Sequence, residues 1–403
     1  MRLRALCLLL PLLVATAAAA HDRQGYLHGR VLLRNGGEYA GLMRWGDQEV
    51  FWDDLFNATK AHTPWLERME DRLDRKTAEI KVFGWKVRVG EGAATGRTFQ
   101  CRFGDMEKIV VTGDQKAEVH LKGGAVIEVD GGSDDVGGKI QVLDPSLGAI
   151  AVRWDRIEEI RFSPTPSDLR PEGQRLYGRM DCDAGVFDGW IQWDSQECLA
   201  TDKLDGESRD GEVSLAMGSL RSIERRSGRG ADVVLKDGRR LSLRGSNDVN
   251  DENRGIYVEV DGLYRLRVMW DEFERLDLAE RRDSGPGYDD YAPGERLRGV
   301  VLDREGRRHA GLLVMDLDEE WSFELLDGRR YGVEYHIPLA RVSSLEPSGD
   351  RTRVGLRGGE SLVLEEGQDV GENNAGVLVL DDEDDDDPLY LSWDEIEHIE
   401  LEP

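Results

Sequence analysis

A block that recurs three times constrains this chain more than any other feature. Each copy ends in Trp-Asp followed by an apolar pair three residues apart: Trp154-Asp-Arg-Ile-Glu-Glu-Ile160, Trp270-Asp-Glu-Phe-Glu-Arg-Leu276 and Trp393-Asp-Glu-Ile-Glu-His-Ile399. Upstream, the same marks stand in the same order. They are Val119, Leu121, Gly124, Asp135-Val136 and Ile140 in the first copy, and Val233, Leu235, Gly238, Asp248-Val249 and Ile256 in the second. The third has Val354, Leu356, Gly359, Asp369-Val370 and Val377. Self-similarity on this scale is a stack of supersecondary units and governs the fold before local propensity does.

A second half-repeat precedes each block. It carries Gly29 and Gly41 with Trp45, then Gly178 and Gly189 with Trp193, then Gly299 and Gly311 with Met315. It closes on Met106-x-x-Ile109, Leu220-x-x-Ile223 and Val342-x-x-Leu345, the apolar spacing that follows Trp-Asp in the other half. Two related halves duplicated into three modules account for all of these. Within each half, period-two alternation over 119–121, 140–142, 150–152, 256–260 and 377–379 predicts half-buried strands. Gly-Gly or Asp-Gly pairs at 123–124, 237–238, 327–328 and 358–359 predict turns with a positive φ. The Asp after each Trp is placed to cap a single helical turn.

Four strands, one helical turn and a fifth strand resemble an SH3-like or Sm-like small β-barrel. The resemblance implies an all-β chain of tandem five-stranded barrels, about six as three fused pairs, with one short helical insertion in the first module. It implies nothing specific about function, since such barrels host many roles. The expected organisation is an export signal at 1–20, a first pair over 21–164 with the insertion at 57–97, a linker at 165–175, a second pair over 176–278, a linker at 279–296 and a third pair over 297–403. Both linkers, Pro-rich from Ser163 to Arg175 and aperiodic from Ala279 to Arg296, are expected as exposed connectors. Thr63 before Pro64, with Leu66, Met69 and Leu73 on one face, predicts an amphipathic helix over 64–78.

Arg2 and Arg4, an apolar run from Leu6 to Val14 and small residues up to Ala20 predict export, periplasmic or extracellular, with cleavage near Ala20. Removing Arg2 and Arg4 takes the formal charge from −28 to −30. So acidic a chain excludes nucleic acid as a partner, and no apolar run approaches the ~20 residues that span a bilayer. Cys101, Cys182 and Cys198 remain after cleavage; three single bridges are open to them, and none has zinc-site spacing.

No catalytic set accompanies the repeats. His28, His62, His120, His309, His336 and His398 fall at unrelated repeat positions, and no nucleophile or phosphate-loop motif occurs. Core packing is the reading for Trp45, Trp154, Trp193, Trp270 and Trp393, against a ligand platform. The loops 133–138, 246–255 and 367–376 are rich in oxygen ligands, but Asn253 stands where a calcium loop starting at Asp248 needs Gly. Asp381–Asp387 is an acidic run with weak divalent-cation binding as its alternative to a solvated loop. The expectation is therefore a non-enzymatic scaffold or protein-binding module without cofactor or metal site, and without a pocket that joins a His, a Cys or paired acids within hydrogen-bonding reach. A calcium-dependent adhesive protein and a hydrolase with an unrecognised acid pair are the competing readings.

Overall fold

The computed structural model describes residues 25–69, 97–131, 135–167, 169, 171, 173–383 and 385–403. The expected export segment and most of the insertion lie outside these, as does the helix beyond 64–69. The chain is all-β in class, with antiparallel strands throughout. The first module comprises β1 (His28–Leu33), β2 (Glu38–Trp45), β3 (Leu55–Lys60), β4 (Thr98–Arg102), β5 (Met106–Gly113), β6 (Lys116–Leu121), β7 (Val126–Asp130), β8 (Lys139–Asp144), β9 (Gly148–Arg153) and β10 (Ile157–Phe162). The second repeats them as β11 (Tyr177–Cys182), β12 (Gly185–Gln192), β13 (Lys203–Ser208), β14 (Gly211–Ala216), β15 (Leu220–Ser227), β16 (Gly230–Leu235), β17 (Arg240–Arg244), β18 (Ile256–Val260), β19 (Tyr264–Val268) and β20 (Phe273–Ala279). The third has β21 (Arg298–Asp303), β22 (Arg308–Met315), β23 (Leu325–Arg330), β24 (Val333–Pro338), β25 (Val342–Ser348), β26 (Arg351–Leu356), β27 (Ser361–Glu365), β28 (Val377–Leu380), β29 (Leu389–Leu391) and β30 (Ile396–Leu401).

The expected six barrels, one per half-repeat, are not what forms. The two halves of a module exchange strands: β2 pairs with β8 and β3 with β7, while β1 pairs with β10 and β5 with β6. Two groups of five result, β1-β2-β8-β9-β10 and β3 to β7, joined where β5 pairs with β10. Among the described residues no ladder joins β4 to β5 or β9 to β10, so neither group closes into a barrel. The ladders run on as a ten-stranded sheet in the first module and a twenty-stranded sheet spanning the other two. The shared apolar spacing now has a cause. Ile109 faces Ile160 across the β5–β10 ladder, as Ile223 faces Leu276 and Leu345 faces Ile399, all fully buried.

The paired glycines are explained by approach, not by turns. Gly29 faces Gly41 across the β1–β2 ladder, as Gly178 faces Gly189 and Gly299 faces Gly311. A Cβ on Gly41 would lie 2.0 Å from the Leu143 carbonyl oxygen, and one on Gly311 would lie 2.1 Å from that of Leu380. These strands therefore cross closer than any side chain permits.

Other local expectations divide. Gly124, Gly238 and Gly359 occupy turns with φ of 87°, 93° and 89°, but Asp327-Gly328 lies inside β23. There the missing Cβ makes room for Leu364 and Val370, whose side chains it would meet at 3.0 and 2.9 Å. In the first copy the Trp-Asp turn is closed by backbone, Ile157 N–H donating to the Trp154 carbonyl. Asp155 instead pairs with Arg153 at 3.0 Å.

The linkers are more than exposed connectors. Arg175 is buried against Asp53 at 2.8 Å, and Tyr26 donates its hydroxyl proton to the Gly173 carbonyl at 2.7 Å. In the second linker Tyr288 donates to the Met106 carbonyl at 2.9 Å, with Lys122 Nζ 3.5 Å above its ring. A stretch without period still carries polar groups, and neighbouring modules satisfy them. The insertion helix also docks outside its own module: Leu66 and Met69 pack with Leu312, Val314, Leu317, Leu378 and Leu380 of the third.

Candidate functional site

The most concentrated chemistry lies in the connectors that carry the chain from one strand group to the other. After β2, β12 and β22 the same position takes a left-handed backbone: Gly46 (φ 58°), Asp194 (φ 47°) and Asp316 (φ 46°). Three residues on stand Glu49, Glu197 and Glu319, which close a tight turn by backbone bonds to Trp45, Trp193 and Met315. Each connector ends in an acid that takes two backbone N–H groups. Asp54 accepts from Val50 and Phe51, Asp202 from Cys198 and Leu199, and Glu324 from Glu320 and Trp321. The Asp of each Asp-Val pair pins the crossing from the other half: Asp135, Asp248 and Asp369 accept the backbone N–H of Asn57, Asp205 and Asp327 at 2.6–2.7 Å. In the first two modules that residue's carbonyl also receives the indole N–H of Trp45 or Trp193 at 2.9 Å.

The connector acids also meet cations from other modules. Asp54 pairs with Arg265 at 2.9 Å, Asp202 with Arg44 at 3.2 Å and Glu324 with Lys60 at 2.6 Å. Arg102 pairs with Glu259 at 2.7 Å across the first and second modules. Lys60 also lies 3.1 Å from Asp318, and Arg97 pairs with Asp316. Burial alone would pull Lys60 down, but Glu324 and Asp318 outweigh it and hold the ammonium charged.

Two groups of three carboxylates converge, Asp194–Glu197–Asp248 and Asp316–Asp318–Glu319. Arg254 binds Asp194 in the first; Lys60 and Arg97 serve the second. Acidic side chains also gather at one pocket. A cavity of about 200 Å³ between the first and third modules is lined by Asp318, Glu319, Glu324, Asp327 and Asp369, with Arg97 at its wall. The oxygen-rich loop 246–255 spends its side chains on its own backbone and on the adjoining connector and crossing, Asn247 and Arg254 on Asp194 and Asp248 on Asp205. Ser246 caps Asp248, Asn250 accepts from Glu252 N–H, and Asn253 accepts from Gly255 N–H.

Burial pushes Glu197 up to about 8, with Asp248 and Asp194 adding to the shift; Asp248 is pushed up to about 6 and Asp316 to about 7. Groups with raised folded pKa bind protons more tightly folded than unfolded, so stability falls as pH rises through these values. The melting temperature should therefore rise as pH is lowered from about 8 toward about 5, against an ordinary carboxylate range near 4. Scanning calorimetry across that window checks it, and Glu197→Gln should flatten the upper part of the curve.

The remaining candidates are dispersed. The five Trp residues of the repeats are buried in the cores, none more than 5% exposed. Trp154 and Trp270 donate to the carbonyls of Gly113 and Ser227 at 3.0 Å. Cys101, Cys182 and Cys198 are free thiols, each buried. His28 meets Ser163, and His120, His309, His336 and His398 pair with acids of their own module. His62 stands exposed beside Glu128, at the rim of a second cavity that Trp65 and Trp321 also line. The connector acids and their cations are functional residues that the motifs of the sequence did not mark out. The signal was present for the acids, since Glu stands four residues, and Asp or Glu nine residues, after Trp45, Trp193 and Met315 in every copy. It was absent for Lys60, Arg97, Arg102 and Arg265, whose partners lie in other modules. Comparison with known proteins finds no family model that matches the chain, no matching curated protein and no matching solved structure.

Proposed function

We propose that this is an exported acidic repeat protein that acts as a non-enzymatic scaffold or protein-binding module in the cell envelope or outside the cell. One observation carries the reading: at two of the three recurrent acid positions the side chains hold strand crossings and module junctions together. Asp135, Asp248 and Asp369 pin backbone, and Asp54, Asp202 and Glu324 cap connectors while pairing with cations. A residue held at equivalent positions in every copy serves the architecture, whereas a reaction centre needs unlike groups converging once. Each five-strand group is read as an open relative of the SH3-like barrel, and export with cleavage near Ala20 rests on the N-terminal composition.

An acidic exterior selects basic partners and repels nucleic acid. The run Asp381–Asp387 adds weak divalent-cation binding to the same surface. The test is a pull-down of the mature protein from envelope extract of its host, eluted by a salt gradient. Partners with basic surfaces released at moderate salt are expected. Hydrolytic turnover abolished by Glu319→Gln would replace this reading with an acid-pair enzyme.

A further inference from the structure

The second and third modules are joined by a β ladder that the first and second lack. β19 pairs with β24 through Arg265↔His336, Leu266↔Tyr335 and Arg267↔Glu334. By repeat position β9 corresponds to β19, and β14 to β24. The hairpin registers agree: Asp144↔Gly148 matches Val260↔Tyr264, and Lys203↔Ala216 matches Leu325↔Pro338. Yet among the described residues β9 pairs only with β8, and β14 only with β13. One chain thus presents both sides of a contact that it makes elsewhere, and does not make it with itself.

The side chains show the missing cover. Leu263, at the tip of the β18–β19 hairpin, packs against the shared core, whereas its counterpart Leu147 is 67% exposed. Tyr335 is 1% exposed beneath β19, whereas its counterpart Val213 is only half-buried. The β9 edge reads Gly148-Ala-Ile-Ala-Val152, with no proline and no charge before Arg153, so it lacks the usual devices that blunt an open edge. The third member of the set, β29, is cut to three residues and follows the acidic run Asp381–Asp387, which does blunt it.

We propose that β9 of one copy pairs antiparallel with β14 of a second copy, in the register Ala149↔Ser214, Ile150↔Val213 and Ala151↔Glu212. The occupant is a second copy because this chain carries the complementary edge, and because the same contact already joins its second and third modules. Such a contact is heterologous, so copies add head to tail. This goes beyond the scaffold reading and needs no foreign partner. The two also differ in salt response. Binding of a basic partner weakens with salt, whereas self-pairing of a chain with formal charge −28 strengthens as salt screens the mutual repulsion.

Sedimentation velocity of the mature protein over a concentration series, at low and high salt, tests it. Association that grows with both is expected. Ala149 and Ala151 are exposed, so substitutions there leave the fold intact. Ala151→Glu, facing Glu212, should lower the association constant about two- to five-fold, and Ala151→Arg should raise it by a similar factor. Ala151→Glu combined with Glu212→Arg should restore it. A protein that stays monomeric at every concentration and salt, or one whose association is indifferent to the sign of the charge at position 151, overturns the proposal.

Discussion

Trp270→Ala should cost about 3–5 kcal/mol, and the loss should reach the third module as well as the second. Trp270 is 1% exposed, packs at 5.6 Å from Phe273 and 6.3 Å from Trp193, and donates its indole proton to Ser227. Truncation removes those contacts, leaves a cavity and orphans the Ser227 carbonyl. Repeat arrays ordinarily confine such damage to one unit. Here the β19–β24 ladder and one core running from Leu176 to Leu401 tie two modules together. Calorimetry should therefore show the second and third modules falling in one transition, with the first, whose core is a distinct cluster that takes only Phe323 of the third among its buried residues, shifted less. Hydrogen exchange would locate the loss; protection lost in the second module alone would refute the coupling. Trp393 supplies the contrast. Its buried indole N–H has no acceptor among the described residues, so Trp393→Phe should cost less than Trp270→Phe, which deprives a carbonyl of its donor.

Lys60→Met should cost about 3–5 kcal/mol, because it strands Glu324 as a buried carboxylate without its cation and leaves Asp318 only Arg97, at 3.5 Å. Lys60 donates to Glu324 at 2.6 Å and to the Asp318 carbonyl at 2.5 Å, and both acids are almost wholly buried. The cost should depend on pH with a definite sign. Glu324 has its pKa raised by burial, with Lys60 opposing that shift, so removing the cation raises it further. Protonation then relieves the variant, and its deficit should shrink as pH falls and be largest in alkaline buffer. A deficit that does not vary with pH would mean that packing of the lysine stem, not its charge, holds the first module to the third. Chemical denaturation of both proteins at several pH values separates these outcomes.

How much could be foreseen differs by element. The strands β6, β8, β9 and β18 stand where alternation places them, since one face of each is the more apolar, whereas β28 is apolar and buried on both faces. Glu319, Glu197 and Glu49 could have been singled out from recurrence alone. The acid pocket could not, because Asp318 and Glu324 acquire their partners Lys60 and Arg97 only when the first module docks on the third.

The amino-acid sequence by itself determined the threefold repeat, the all-β class, the turn glycines at 124, 238 and 359 and the burial of the tryptophans. These depend on side-chain period and on φ preferences within a few residues. The pairing of strands was decided only in the tertiary structure. The two halves of a module carry the same alternation, so β2 meets an equally suitable apolar face in β3 or in β8, and no local preference separates them. What tips the choice is long-range: the Asp135 carboxylate on Asn57, the carbonyls that seat against Gly29 and Gly41, and the Ile109–Ile160 contact between halves. Each joins residues distant in sequence and near only after folding, which is why the exchanged strands and the charged junctions were not legible beforehand.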